Sequence, residues 1–292
     1  MSSLDNMVIN KPIRILLLGS DTELGEAIRD YKQVENEFQW FECATKDVVR
    51  LLANDDLESN VDFVVDAYSL RHAPENTYEE FTQLVQDKLV NLNVPIFMMS
   101  SVRVFSGEQN AAYTENDIPD SDSHYENALM SMENILLNNE RNVVLRTGWL
   151  FSGMHDDFVS STIGLVQSGV NLAYQDNVIG CPTPVTDVAR VTHSMIKQSY
   201  NGAENWGVYH YCCAEEVSWL GLVEAILATA SQFDPKAQSE MDSINDSLAN
   251  EEGGLSIQRQ SLSCRKIFNH YGIKQRSWRP TLRKLIKDLY QR

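Results

Sequence analysis

The sequence predicts an α/β protein built on a doubly wound parallel sheet, with a smaller C-terminal lobe. Three observations predict it. Apolar strand-like runs alternate with helical periodicity through the first half of the chain. Runs such as RILLLG and FVVDA are almost continuously apolar, as a parallel sheet covered on both faces requires. A glycine-framed turn, Gly19 to Gly25, joins the first strand to the first helix.

The elements follow in order. IRILLLG (13–19) is a strand and ELGEAIRDY (23–31) a helix. FQWFECA (38–44) is the second strand, followed by the helix KDVVRLLAND (46–55). VDFVVDAY (61–68) is the third strand, and YEEFTQLVQDKLVNLN (78–93) its helix. PIFMMSS (95–101) is the fourth strand, HYENALMSMENILLNN (124–139) a long helix, and NVVLRTGWLF (142–151) the fifth strand. The second half is less regular. Residues 171–198 read as a short strand, a Pro-containing loop and a helix that Asp187 caps. GVYHYCC (207–213) is a strand and SWLGLVEAILATASQF (218–233) a helix. The polar stretch 234–254 reads as a surface excursion. Residues 264–273 and 281–292 read as terminal helices.

The expected organisation is a short flexible leader over 1–12, a dinucleotide-type region over 13–153, and a smaller lobe over 154–292. That lobe interleaves with the main sheet by returning at least one strand to it. A ligand cleft is expected between the two, at the carboxyl ends of the strands.

Composition narrows the partners. A formal net charge of −17 argues against nucleic acid or an anionic membrane surface. No apolar stretch is long enough to span a bilayer, and the N-terminus lacks the basic-then-apolar pattern of a secretory signal. Five cysteines (Cys43, Cys181, Cys212, Cys213 and Cys264) form an odd set with spacings unsuited to zinc. The expectation is reduced, buried thiols in a cytoplasmic protein, and no metal site.

The first turn carries a Rossmann-type signal with one departure. A dinucleotide loop wants Gly-x-x-Gly-x-x-Gly: one glycine for the turn, one for close approach of the pyrophosphate, one for helix–strand packing. Gly19 and Gly25 hold the outer places, and Thr22 holds the middle one. Its β-branched side chain is expected in the path of the phosphate. Glu42, at the end of the second strand, is the candidate for the adenosine ribose, with an exposed strand-end carboxylate as the plainer alternative.

From residue 100 onward the chain resembles the dTDP-4-dehydrorhamnose reductases, members of the extended short-chain dehydrogenase/reductases. Their Ser-Thr-Asp-Tyr-Val-Phe-Asp-Gly is matched by Ser100-Ser101-Val102-Arg103-Val104-Phe105-Ser106-Gly107. Their Tyr-Thr-Glu-x-Asp is matched by Tyr113 to Asp117, and their catalytic tyrosine by Tyr125. LRTGWLFSG, NVIGCPTPVTDVAR, GVYHYCCAEEVSW and the C-terminal SLSCRKIFNHYGIKQRSWRPTLRKLI match later family segments in order. The resemblance implies Ser101 and Tyr125 as catalytic residues and a nucleotide sugar as ligand. Arg146, Trp149, Pro182 and Thr183 become candidates for contacting it. For Arg146 the plainer alternative is a strand-end arginine paired with an acid, and for Trp149 a packed ring; for Pro182 and Thr183 it is a shaped turn.

One part of the implied machinery is missing. The family's lysine, four residues after the tyrosine, holds the nicotinamide ribose and lowers the tyrosine pKa. Here that position is Leu129, and no lysine occurs between Lys88 and Lys197. A phenol with an ordinary pKa near ~10 is a poor proton donor partner near neutrality without such help. Arg103 is a nearby cation, read either as a substitute or as a salt-bridged side chain. With both Thr22 and Leu129 altered, binding of NAD or NADP is expected to be weak or absent. The leading reading is a sugar-nucleotide-binding homologue with weak or lost NAD(P)H-dependent reductase activity. An active reductase of an NDP-4-keto sugar is the second. The resemblance also takes in the regulatory beta subunit of methionine adenosyltransferase, so a non-catalytic subunit serving a protein partner is the third.

Overall fold

A computed structural model describes residues 11–31, 37–54, 60–70, 82–89, 93–154, 157–170, 176–248 and 257–291. Most of the predicted leader (1–10) and the first five residues of the stretch 171–198 lie outside the described residues. Six strands form the main sheet: β1 (Ile13–Leu18), β2 (Phe38–Cys43), β3 (Phe63–Asp66), β4 (Ile96–Ser101), β5 (Val143–Thr147) and β9 (Gly207–Tyr211). Their order is β2-β1-β3-β4-β5-β9, and every pairing is parallel. β3 and β5 are buried along their whole length, while the edge strand β2 is half-buried. The continuous apolar runs therefore mark the sheet centre. β9 comes from the C-terminal half and docks beside β5.

The helices explain themselves locally. α1 (Glu23–Asp30) starts at Thr22, whose hydroxyl accepts from Gly25 N. It buries Leu24 and Ile28 against α5 (Val185–Tyr200), where His193 Nε2 lies 2.6 Å from Ile28 O. α2 (Val48–Ala53) buries Val48 and Leu52. Within the predicted 78–93 helix the described residues 82–89 are helical, ending in a π-turn at Val85–Leu89. α3 (His124–Leu137) packs on β4 and β5. α4 (Phe158–Ser168) is capped by Asp157 and stopped by Gly169 at φ 70°. It packs with α6 (Trp219–Ala230) and α7 (Pro235–Leu248), and α9 (Arg279–Tyr290) closes on α6. α8 (Arg265–Tyr271) lies against β9.

Three expectations are corrected. The fifth predicted strand is two, because the chain turns at Gly148. A Cβ there would lie 2.4 Å from Cys181 O and 2.9 Å from Cys212 Cβ. β6 (Trp149–Phe151) leaves the main sheet to pair with β8 (Pro182–Pro184). The polar stretch after 234 is largely a helix, α7. Asp234 accepts from Lys236 N beside a proline at the first helical position. Ala237 and Ile244 are buried, with Met241 half-buried between them. Asp187 does not cap α5. The residue before the helix is Pro184, which makes no side-chain cap, and Asp187 instead accepts from Arg190 Nε (2.7 Å) and the Tyr211 hydroxyl. A small sheet was not foreseen at all: β7 (Val178–Gly180) between β10 (Val217–Ser218) and β11 (Gln258–Gln260).

All five cysteines are free and buried. Among the described residues no helix is long and apolar enough to cross a membrane, and no cluster suits a metal ion.

Two glycines give opposite expectations. A Cβ on Gly25 would lie 2.0 Å from Gly19 O, a backbone atom that cannot move aside, whereas one on Gly164 within α4 meets nothing. Gly25→Ala should therefore cost about 1–3 kcal/mol. Gly164→Ala should add about 0.5–1 kcal/mol by favouring the helix. Urea midpoints of the two variants, moving in opposite directions from wild type, check this.

Candidate active site

The carboxyl ends of β3, β4 and β5 open onto a cleft of about 530 Å³. Ser101 is the last residue of β4, and Tyr125 is the second residue of α3. Both line this cleft, together with Leu129 and Trp149. Four of the residues singled out from sequence thus share one wall.

Their local bonding limits what they do. The Ser101 hydroxyl accepts from Arg103 N at 3.2 Å, capping the short turn Val102–Val104, and keeps its own proton for donation. The Tyr125 hydroxyl donates to the carbonyl of Leu70, with Ser69 O at 3.3 Å. Leu129 is 1% exposed. It is flanked on α3 by two buried acids, Glu126 one turn before and Glu133 one turn after. Each acid has an arginine from the sheet side. Arg103 Nη2 stands 2.6 Å from Glu126 Oε1, and Arg146 Nη2 stands 2.6 Å from Glu133 Oε2.

For Arg146 the structure favours the second of the two readings, a strand-end arginine paired with an acid in the core. Its Nε sits 3.1 Å from both Glu133 oxygens, its side chain is buried, and it is absent from the cleft wall. Pro182 and Thr183 are likewise buried behind the wall. Thr183 Oγ1 donates to Cys181 O and accepts from Cys213 N. Trp149 does reach the cleft. It is stacked on Trp219 at 3.9 Å, and its Nε1 donates to Gln260 Oε1. Trp219, Asp157, Gln258 and Gln260 also line the cleft and were missed. Gln258 and Gln260 arrive on a three-residue strand more than a hundred residues from Ser101, with no local pattern to mark it.

The glycine turn does not line this cleft, and four of its amides are engaged. Gly19 N and Ser20 N both donate to Cys43 O, at 2.9 and 3.0 Å. Thr22 N donates to Gly19 O, and Gly25 N to Thr22 Oγ1. The Thr22 side chain does not stand in open space. It is 4% exposed and folded into the loop, where its hydroxyl also donates to Gly19 O at 2.8 Å. The turn brings acids instead. Asp21 accepts from Thr45 N and Oγ1, both at 2.6 Å, and Glu23 and Glu26 fill the first turn of α1. Glu42 is paired with Arg29 at 3.2 Å, on the rim of another cavity beside β2.

Below the cleft, His210 Nδ1 lies 3.2 Å from Tyr113 O and Nε2 lies 3.4 Å from Arg146 Nη1. A proton on Nδ1 satisfies the carbonyl and leaves Nε2 to face the guanidinium. Burial, and then the Arg146 charge, push the His210 pKa down to about 3. An unfolded histidine titrates near ~6.5. Between these values the unfolded chain binds the extra proton, so folding stability should fall as pH drops from about 6.5 toward 3. The slope from this residue reaches up to about 1.4 kcal/mol per pH unit. His193, also lowered by burial, adds the same sign. Urea melts across this range should show the loss, and His210→Gln should flatten it.

Comparison with known proteins places the chain. The model of the RmlD substrate binding domain family matches residues 13–291. A dTDP-4-dehydrorhamnose reductase of Aggregatibacter actinomycetemcomitans is 24% identical, over 93% of this chain and 98% of that protein. One from Sinorhizobium fredii is 23% identical over 73% of this chain and 75% of the relative. Among solved structures, a dTDP-4-dehydrorhamnose reductase from Clostridium acetobutylicum superposes with a TM-score of 0.75 at 20% identity, covering 96% of this chain and all of that one. One from Bacillus anthracis, in complex with NADP, gives 0.71 at 16% identity, covering 95% and 98%.

Proposed function

The chain belongs to the RmlD substrate-binding-domain family, and from that premise we propose that it binds a nucleotide sugar in the cleft while reducing it weakly or not at all. The observation that carries this reading is the setting of Tyr125. Its proton is directed at the Leu70 carbonyl, and the helix position four residues on offers the buried alkyl group of Leu129 where the family's motif has lysine. Among the described residues α3 itself carries no cation on that face to favour the phenolate; the neighbours along the helix are Glu126 and Glu133.

The glycine turn supports the same reading. A dinucleotide's pyrophosphate is held by free amides at a helix N-terminus. Here Ser20, Thr22 and Gly25 amides are engaged within the fold, and Asp21, Glu23 and Glu26 already supply the negative charge that the helix dipole favours. In this reading the turn holds NAD or NADP weakly or not at all. The chain's own residues do less: Ser101 offers a hydroxyl proton to a ligand oxygen, and Trp149, Gln258 and Gln260 shape the wall around it. The second reading, an active NAD(P)H-dependent reductase of an NDP-4-keto sugar, is favoured by one observation, the shared wall of Ser101 and Tyr125.

The test is NAD(P)H oxidation with dTDP-4-dehydrorhamnose, beside calorimetric titration of dTDP and of NADPH. The expected result is measurable dTDP binding, little NADPH binding, and turnover near background that Tyr125→Phe leaves unchanged. Thr22→Gly with Leu129→Lys should gain more than the two single changes combined, because groups acting as one unit are strongly non-additive. Robust wild-type turnover abolished by Tyr125→Phe would establish the second reading instead.

A further inference from the structure

The cleft presents one cation. Among the described residues that line it, only Arg103 is basic. It stands where the family motif quoted above has tyrosine, so the charge is a feature of this chain. Its partner Glu126 is 2% exposed, while the Arg103 side chain is 62% exposed. The pair is anchored at its buried end and open at the other. Glu126 is in turn held by the Ser123 hydroxyl.

The contact between the two is ionic. Glu126 Oε1 lies 2.6 Å from Arg103 Nη2, yet the alignment is not that of a hydrogen bond. Among the described residues the guanidinium makes no hydrogen bond, although its backbone amide does. A guanidinium carries five N–H donors in a fixed plane and suits the paired oxygens of phosphate or carboxylate. Arg103 is thus a cation tethered to Glu126 through Nη2, and its fork carries more N–H donors than that one oxygen takes up.

The surroundings give this receptor a direction. A neighbouring cavity of about 400 Å³ shares Arg103 and is lined by Glu108, Asp120 and Asp122. Asp120 is already occupied, accepting from Ser106 N and Oγ. An anionic group is repelled from that acidic side and attracted to Arg103 on the side of Ser101 and Tyr125, where the two acids of the lining, Glu126 and Asp157, already have partners.

We propose that Arg103 is the specificity residue of the cleft, binding an anionic oxygen group of the ligand, phosphate or carboxylate, beside Ser101 and Tyr125. The proposal rests on the nucleotide-sugar reading and goes beyond it by naming what the ligand must carry there.

Calorimetry on the full chain separates the cases with two ligand pairs. Thymidine against dTDP differs by the phosphates, and UDP-glucose against UDP-glucuronic acid differs by one carboxylate. Wild type should prefer the more anionic member of at least one pair by about tenfold or more. Arg103→Gln should bring that ratio close to one. The pair whose ratio collapses identifies the group as phosphate or carboxylate. Because Arg103→Gln leaves a buried carboxylate unpaired, the double variant R103Q/E126Q, which removes both charges, is measured beside it. Its thermal unfolding reports whether the fold is kept, and it should show the same collapse. A wild type without preference in either pair, or a preference that survives both variants, overturns the proposal and leaves nucleotide-sugar binding standing. Failure of all four ligands to bind at millimolar concentration overturns the proposal and the reading beneath it together.

Discussion

The buried pair of Arg146 and Glu133 is the constraint on which the cleft depends. Moving two charges out of water costs several kcal/mol each, and the cost is recovered only where geometry is good and the remaining atoms are satisfied. Both conditions hold. Arg146 reaches Glu133 through Nε and Nη2, Ser100 donates its hydroxyl to Glu133 Oε1, and His210 faces Nη1. The Phe105 ring lies 5.1 Å below the guanidinium. The pair thereby ties α3 to β4, β5 and β9 at once. A shift of α3 along the sheet would strand a buried charge, and so the helix carrying Tyr125 has one position relative to Ser101.

That constraint also shapes what α3 can offer the cleft. Glu126, Leu129 and Glu133 recur at the spacing of one helical face, and all three are buried. The acids are answered from outside the helix, by Arg103 at the end of β4 and Arg146 on β5. Relative to a helix that carries its own lysine on this face, the polarity is reversed: anions on the helix, cations on the sheet side. A lysine at 129 would enter a face whose carboxylates already have partners.

Much of the fold was legible because parallel strands buried on both faces leave a one-dimensional signature, and β1, β3, β4 and β5 all carry it. The misreadings have a shared cause in contacts that are distant in sequence. Gly148 ends β5 because Cys181 and Cys212 crowd its Cα, and neither neighbour is visible from the run NVVLRTGWLF. α7 looked like loop because its buried stripe is thin, two buried residues and a methionine among polar ones, although Asp234-Pro235 was a readable start signal. The site was legible in kind and not in detail. Arg146 and Trp149 lie in one motif three residues apart, yet the turn at Gly148 sends one into the core and the other to the cleft. Gln258 and Gln260 join through β11, which pairs with β7 across a long stretch of chain.

The glycine turn shows why a spacing pattern and a binding site are different things. Gly19 has φ 74° and would bring a Cβ within 2.9 Å of Tyr68, while Gly25 presses against Gly19 O. Both are demanded by the crossing of strand and helix, whatever the turn binds. Phosphate recognition asks for something further, amides that point outward and have no other partner. Thr22 works against that in a way its bulk alone does not convey. By accepting from Gly25 N and donating to Gly19 O, its hydroxyl closes the turn on itself. A glycine there could do neither, and would leave Gly25 N without that acceptor. The same substitution that completes the helix cap thus removes a donor from the place where a phosphate would need it, and the acids on either side of Thr22 act in the same direction. The two glycines persist here because packing requires them, whatever the turn binds.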